Sequence, residues 1–336
     1  MHSVLSFDEL YSALRFGGEA LALLSPPVVL VDLASYLGRW RASTEGATTN
    51  TAGLLSLPCV VVGVGSEALL TQIGSAGAIV DVVAANLDDA EELVAAVTRF
   101  PVASITLALL LRGRDERSLD EALISESAAY SMLQAGPEFA AWRSTYPSKS
   151  MIAETESPVL VSREGDRLLL TLSRPARHNA FSMSMRDGLV AGLEIAALDV
   201  DLRVVLSGNG PSFCSGGELA EFGSFSNPAS AHQTRLTRSA ARQLVRVADR
   251  VTVRVHGYCL GAGIELAAFA AHIVAHPDTL FALPELALGL VPGSGGSASL
   301  PPRIGRHRTA FLALTGRRIN ASTALSWGLI DEISSS

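Results

Sequence analysis

Short β-branched runs alternate along this chain with longer alanine-rich stretches whose apolar residues recur at helical spacing, the pattern of an α/β protein. In the first half, Pro27–Leu33 and Pro58–Val64 read as buried strands, with a small, polar loop from Ser43 to Ala52 between them. From Asp88 the pattern turns helical, with helices predicted over Ala90–Arg99, Val102–Arg112 and Ser118–Ala135 and with Asp88 or Asp89 as the first N-cap. The stretch Tyr146–Pro158 is polar, bounded by prolines and without apolar period, so a linker is placed there. It divides the chain into residues 1–150 and 157–336. Beyond it, Val159–Arg163 and Arg167–Ser173 form a hairpin around Glu164-Gly165-Asp166. Next come a helix over Ser182–Ala197, a strand over Arg203–Leu206, one long helix over Ser230–Arg250, a strand over Val251–Val255 and a helix from Ala262.

Composition narrows the function classes. With 336 residues, 48% hydrophobic and 18% charged, the chain can build a sizeable core. Lys+Arg 26 against Asp+Glu 33 gives a net charge of −7, so neither nucleic acid nor an anionic membrane is expected as a partner. The start, Met1 to Glu9, lacks a basic stretch followed by an apolar one, so a cytoplasmic location is expected. Cys59, Cys214 and Cys259 are too far apart for a disulfide framework or a metal knuckle, the histidines show no ligand pairing, and no Gly-x-Ser-x-Gly elbow occurs.

Three stretches carry candidate chemistry. Ser207–Leu219 leads from a strand into a glycine-dense loop, which serves either as a plain turn or as a cradle of backbone N–H groups. In His256–Ala268 a strand turns directly into a helix. Its first-turn N–H groups lack intrahelical partners and attract negative charge. Glu265, in that first turn, suits the dipole and equally suits catalysis. The glycine spacing is neither a dinucleotide fingerprint nor a P-loop. In Phe281–Gly296, Glu285 is flanked almost wholly by apolar residues. It is either a surface charge or a buried carboxyl whose raised pKa fits acid/base work.

In this order, the three stretches resemble the crotonase superfamily, the enoyl-CoA hydratase/isomerase group. Ser173–Ala180 is similar to its early Arg-Pro…Asn-Ala motif, and Gly305–Gly316 with Ala321–Ile330 is similar to its later glycine-containing segments. The resemblance implies a repeated ββα superhelical fold with an additional α-helical layer. It implies an oxyanion hole at the N–H groups of Gly217 and Ala262, and an acid/base pair in Glu265 and Glu285. It further places Arg177, His178, Ala180, Ser215, Gly216 and Gly261 on the substrate or its CoA, with Arg177 and His178 beside the phosphates.

The implied reaction is hydration of a 2-enoyl-CoA, with no metal and no cofactor beyond the CoA of the substrate. Glu265 activates the water and Glu285 handles the C2 proton. The alternatives are an enoyl-CoA isomerase, another crotonase-type enzyme, or a non-catalytic acyl-CoA-binding paralogue. Two departures stand out: Glu218 where relatives carry aspartate, and Ala298 where many carry arginine. Family members continue past the position matching Ile333 with a helical tail that covers the site and builds a trimer. Residues 88–145 resemble that tail, preceded by strands like a degenerate crotonase half. They are therefore expected to pack on the C-terminal core, in the same protomer or swapped, in a trimer-based homo-oligomer.

Overall fold

The computed structural model describes residues 4–7, 9–10, 27–38, 57–146, 156–224 and 227–335. The expected loop at Ser43–Ala52 and residues 147–155 of the expected linker lie outside them. The protein is α/β. In the N-terminal half a four-stranded parallel sheet runs in the order β1 (Val4–Leu5), β2 (Val28–Asp32), β3 (Val60–Val64), β4 (Val82–Ala84). Successive side chains of a strand point to opposite faces, and here the two faces feed different cores. Val28, Leu30, Val60, Val62, Val82 and Ala84 join the main core, whereas Val29, Val31, Val61 and Val83 join a smaller one with Phe7, Leu10 and Leu33. A parallel sheet covered on both faces reads as an unbroken β-branched run, which is why these strands were visible in the sequence.

After α1 (Glu67–Ile73) and β4 come four helices: α2 (Leu87–Arg99), α3 (Pro101–Arg112), α4 (Leu119–Gln134) and α5 (Pro137–Thr145). The N-cap of α2 is Asn86, whose side chain accepts from Asp89 N, so Asp88 and Asp89 lie in the first turn rather than at the cap. The asparagine oxygen satisfies the orphan N–H, and the two carboxylates add to it by facing the positive end of the helix. Pro101 starts α3 because its missing N–H costs nothing at a helix start, and the chain turns through 110° there. Ser118 and Glu121 form a reciprocal capping box on α4. The Glu138 carboxylate of α5 accepts from Val102 N and Ala103 N at 2.8 and 3.0 Å, capping α3 from a neighbouring helix.

The C-terminal half is built on a six-stranded sheet in the order β13-β10-β8-β7-β6-β5. Its strands are β5 (Val159–Glu164), β6 (Arg167–Leu172), β7 (Arg203–Gly208), β8 (Val251–Val255), β10 (His272–Ala275) and β13 (Glu332–Ile333). Only the β5–β6 hairpin is antiparallel. A small second sheet holds β9 (Tyr258–Leu260), β11 (Leu280–Ala282) and β12 (Ile319–Asn320). The helices are α6 (Met183–Leu198), α7 (Pro228–Thr237), α8 (Ala240–Val247), α9 (Ala262–Ala267), α10 (Gly296–Ser299), α11 (Pro301–Thr315) and α12 (Ala321–Trp327). The long helix expected over Ser230–Arg250 is two: Arg238 leaves helical geometry, and the Ser239 side chain caps α8 by accepting from Arg242 N. Serine competes with the helix for backbone hydrogen bonds, so it favours a new start over continuation.

The two halves share their main core, which runs from Val28 through Leu93, Leu107 and Leu133 to Ile330. At their junction Arg112 and Asp81 form an ion pair at 2.6 Å, with side chains 3% and 2% exposed. Asp81 also accepts from Val61 N, and Arg112 donates to the carbonyls of Leu57 and Cys59, so both charges are compensated inside the protein. From α11, Arg306 and His307 reach the Ala78 and Val80 carbonyls at 2.8 and 3.0 Å.

Candidate active site

Two loops and a helix start converge at one end of the six-stranded sheet. After the short 3-10 turn Pro175–Arg177, His178 and Asn179 both take positive φ. The Asn179 side chain is fully buried; it accepts from Arg174 N and donates to the carbonyls of Asn209 and Ser212 at 2.9 and 2.8 Å, tying this turn to the glycine-rich loop after β7. Along that loop, Phe181 N donates to Gly216 O and Glu218 N to Phe181 O, while Cys214 pairs with Cys259 of β9. Between these bonds the Gly217 N–H has no acceptor among the described residues. Gly261, at φ 47°, turns the chain from β9 into α9, and the N–H of Ala262 at its first position is likewise free. A Cβ on Gly261 would lie 3.4 Å from Gly216 Cα and 2.3 Å from Glu285 Oε1, so only glycine lets the two loops approach beneath that carboxyl.

Three buried carboxyls line the same cavity as Gly217 and Ala262. Glu265 on α9 is 1% exposed, and its Oε2 accepts from Ser294 N and Gly296 N at 2.7 and 2.9 Å. Glu285, in the 3-10 turn Glu285–Leu288, is buried with no partner for Oε2 among the described residues. Glu126 on α4 is 2% exposed and accepts from Gly295 N, Ser297 N and Ser297 Oγ at 2.6, 2.8 and 2.6 Å. Burial is the main reason all three are raised. It pushes Glu285 up to about 8 and, against the pull of the Ser297 and Gly295 donors, Glu126 up to about 7. Glu265 is also held well above the carboxylate range by burial and by the Glu285 and Glu126 charges, while the Ser294 and Gly296 N–H groups oppose the shift. Donors that favour an anion point at Glu265, and none reach Glu285 Oε2. Glu285 also accepts from its own backbone N–H, which opposes its upward shift.

The carboxyls and both free N–H groups line one cavity of about 770 Å³. Its apolar lining combines Phe181, Met183, Phe222 and Leu266 with Leu123, Tyr130 and Phe139 from α4 and α5. A Cβ on Gly293 would strike the Tyr130 ring at 2.5 Å, and one on Gly289 would meet Glu138 at 2.6 Å, so these helices lie directly on the turns that carry the site. The contact is made within one chain.

Comparison with known proteins adds an independent finding. Residues 165–336 match the family model described as enoyl-CoA hydratase/isomerase. The chain belongs to that family. It is 36% identical to the 2,3-dehydroadipyl-CoA hydratase of Escherichia coli (strain K12) over 178 residues, covering 53% of this chain and 69% of that protein. It is 30% identical to the enoyl-CoA isomerase/hydratase fer4 of Mycosarcoma maydis, covering 49% of this chain and 64% of the relative. The chain thus spans about two thirds of the length of these relatives. Among solved structures, enoyl-CoA hydratase from Thermoplasma volcanium GSS1 superposes with a TM-score of 0.50 at 34% identity, covering 54% of this chain and 73% of that one. The fold is that of the crotonase superfamily.

Against this family frame, the residues singled out in the sequence fall into two groups. Glu265, Glu285, Gly217 and Ala262 share the cavity, and Gly261 lies under Glu285. Arg177, His178, Ala180, Ser215 and Gly216 do not line it. Arg177 pairs with Glu218 at 2.6 Å, and this charged partner holds its guanidinium above the usual arginine range. Glu218 also pairs with Arg174 at 3.2 Å, so the residue that departs from the family's aspartate bridges two arginines of the early motif. His178 Nδ1 lies 2.9 Å from Ser212 Oγ, Ser215 N donates to His178 O, and Ala180 is buried. Ala298 is fully buried in α10, where its carbonyl accepts from Arg114 Nε at 3.1 Å. The sequence reading missed Glu126 as a site residue. The available signal was a glutamate on the apolar side of a predicted helix, between Leu123 and Tyr130, a costly place for an unpartnered charge.

Proposed function

We propose that this protein hydrates a 2-enoyl-CoA thioester. The observation that carries the reading is one cavity lined by two buried carboxyls and by two residues, Gly217 and Ala262, whose backbone N–H groups have no acceptor among the described residues. The thioester oxygen sits between the Gly217 and Ala262 N–H groups, where negative charge developing on it meets fixed dipoles. In its ionised form, which the Ser294 and Gly296 N–H groups favour against burial and the neighbouring carboxyls, Glu265 takes a proton from water while the water oxygen bonds to C3. The π electrons of the C2–C3 bond move toward the thioester, and C2 then takes the proton of Glu285. The sum is H and OH added across C2–C3, with the proton on Glu265 restoring that of Glu285. Each step is complete without a metal or a nicotinamide, so added chelator is expected to leave the rate unchanged.

Double-bond isomerisation, the neighbouring reaction in the family, needs one carboxyl that shuttles a proton. The pair of N–H donors spent on orienting Glu265 favours hydration. The test is loss of the ultraviolet absorbance of the conjugated thioester on adding crotonyl-CoA. Glu265→Gln and Glu285→Gln are each expected to lower kcat by about 10²–10⁴ while CoA affinity stays within a few-fold. Wild-type turnover in either variant, or crotonyl-CoA bound without hydration by the wild-type protein, refutes the assignment.

A further inference from the structure

The loop Gly293–Ser297 is gripped from two sides by carboxylates in strict alternation. Ser294 N and Gly296 N donate to Glu265 Oε2 at 2.7 and 2.9 Å. Gly295 N donates to Glu126 Oε1 at 2.6 Å, and Ser297 N and Oγ to Glu126 Oε2 at 2.8 and 2.6 Å. Gly295 takes φ 106°, a conformation that lets successive N–H groups face opposite ways. The donors facing Glu265 keep their direction only while those between them are held in the other direction. Glu126 reaches the loop from α4, 169 residues earlier in the chain. Packing alone does not call for a third carboxylate here. Burying Glu126 near Glu265 and Glu285 adds like-charge repulsion, which a neutral acceptor of the same shape would avoid. Arg235 of α7, donating to Ser127 and Ser131 and lying 4.8 Å over the Tyr130 ring, supplies the positive charge that offsets Glu126.

We propose that Glu126 is a positioning residue. It fixes the Gly295–Ser297 segment so that the Ser294 and Gly296 N–H groups orient Glu265 as the anionic base, and it thereby makes the helices of the N-terminal half a working part of the site. This inference rests on the hydratase reading.

The test is Glu126→Gln in the full chain. The amide has one oxygen and one NH₂, so in either orientation NH₂ faces an N–H donor of the loop and one grip is lost. With crotonyl-CoA, kcat is expected to fall at least about tenfold, as the loss of a charge-assisted hydrogen bond implies, with KM within about threefold. Added to Glu265→Gln, the same change is expected to cost less than about twofold, because the group it positions is already gone. Ser297→Ala, which removes one donor and leaves the backbone intact, is expected to lower kcat about two- to fivefold. An unchanged kcat in Glu126→Gln overturns the proposal; so does a loss that multiplies in full with that of Glu265→Gln, or one confined to KM. Should Glu126→Gln not fold, an unchanged kcat in Ser297→Ala overturns it. If the wild-type protein hydrates nothing, the hydratase reading fails and the proposal with it; a working wild type with an indifferent Glu126→Gln sinks the proposal alone.

Discussion

Replacing Glu285 with glutamine is expected to lower kcat by about 10²–10⁴ and, at neutral pH, to stabilise the fold. The carboxyl is buried with no partner for Oε2 among the described residues, and burial lifts it from 4.5 to about 8. In the unfolded chain it ionises near pH 4.5; in the folded protein it must stay protonated or carry an uncompensated charge. Its contribution to stability is therefore complete below pH 4.5 and is lost as the pH rises toward about 8. At about 1.4 kcal/mol per pH unit of difference between the two states, roughly 2–3 kcal/mol disappears between about pH 5 and about pH 7.5. Glutamine has the same shape and no proton to lose. The gap in Tm between Glu285→Gln and wild type, followed by circular dichroism, is expected to widen in favour of the variant by several degrees over that interval. A gap of equal size at both pH values would refute the reasoning, because it would mean that the folded-state carboxyl titrates as it does in the unfolded chain.

Other substitutions probe the scaffold. Gly261→Ala combines φ 47° with a Cβ placed 2.3 Å from Glu285 Oε1, so it is expected to cut kcat at least about tenfold, seen in steady-state hydration kinetics. Asp81→Asn leaves the buried Arg112 guanidinium without its counter-charge and is expected to destabilise by about 3–5 kcal/mol in urea titration; a cost under about 1 kcal/mol would show that the Leu57 and Cys59 carbonyls suffice. Residues 157–336 expressed alone would uncover the core side chains that Leu107, Leu133 and Phe139 bury and would lack Glu126. That fragment is expected to aggregate or to be inactive, and a soluble, fully active fragment in size-exclusion and activity assays would contradict the shared core.

Much of the site was legible in the linear order of residues because its parts are local. A strand running into a glycine turn and at once into a helix announces free N–H groups at His256–Ala268 whatever surrounds it, and the family resemblance then pointed to Ala262 and Gly217. Glu285 was visible as a carboxyl among apolar neighbours, and the valine runs of β2 and β3 as strands covered on both faces. The single helix expected over Ser230–Arg250 broke at Ser239 because a side-chain cap outcompeted continuation. What tertiary structure alone decided is which distant groups meet. Asp81 finds Arg112, Glu218 takes both arginines of the early motif, and Glu126 grips a loop 169 residues away. Sequence periodicity specifies that a helical face is buried, but not against what. A carboxylate on such a face is a penalty until the fold delivers donors to it, and the Gly295 and Ser297 N–H groups turn that penalty at Glu126 into a hold on the neighbouring base.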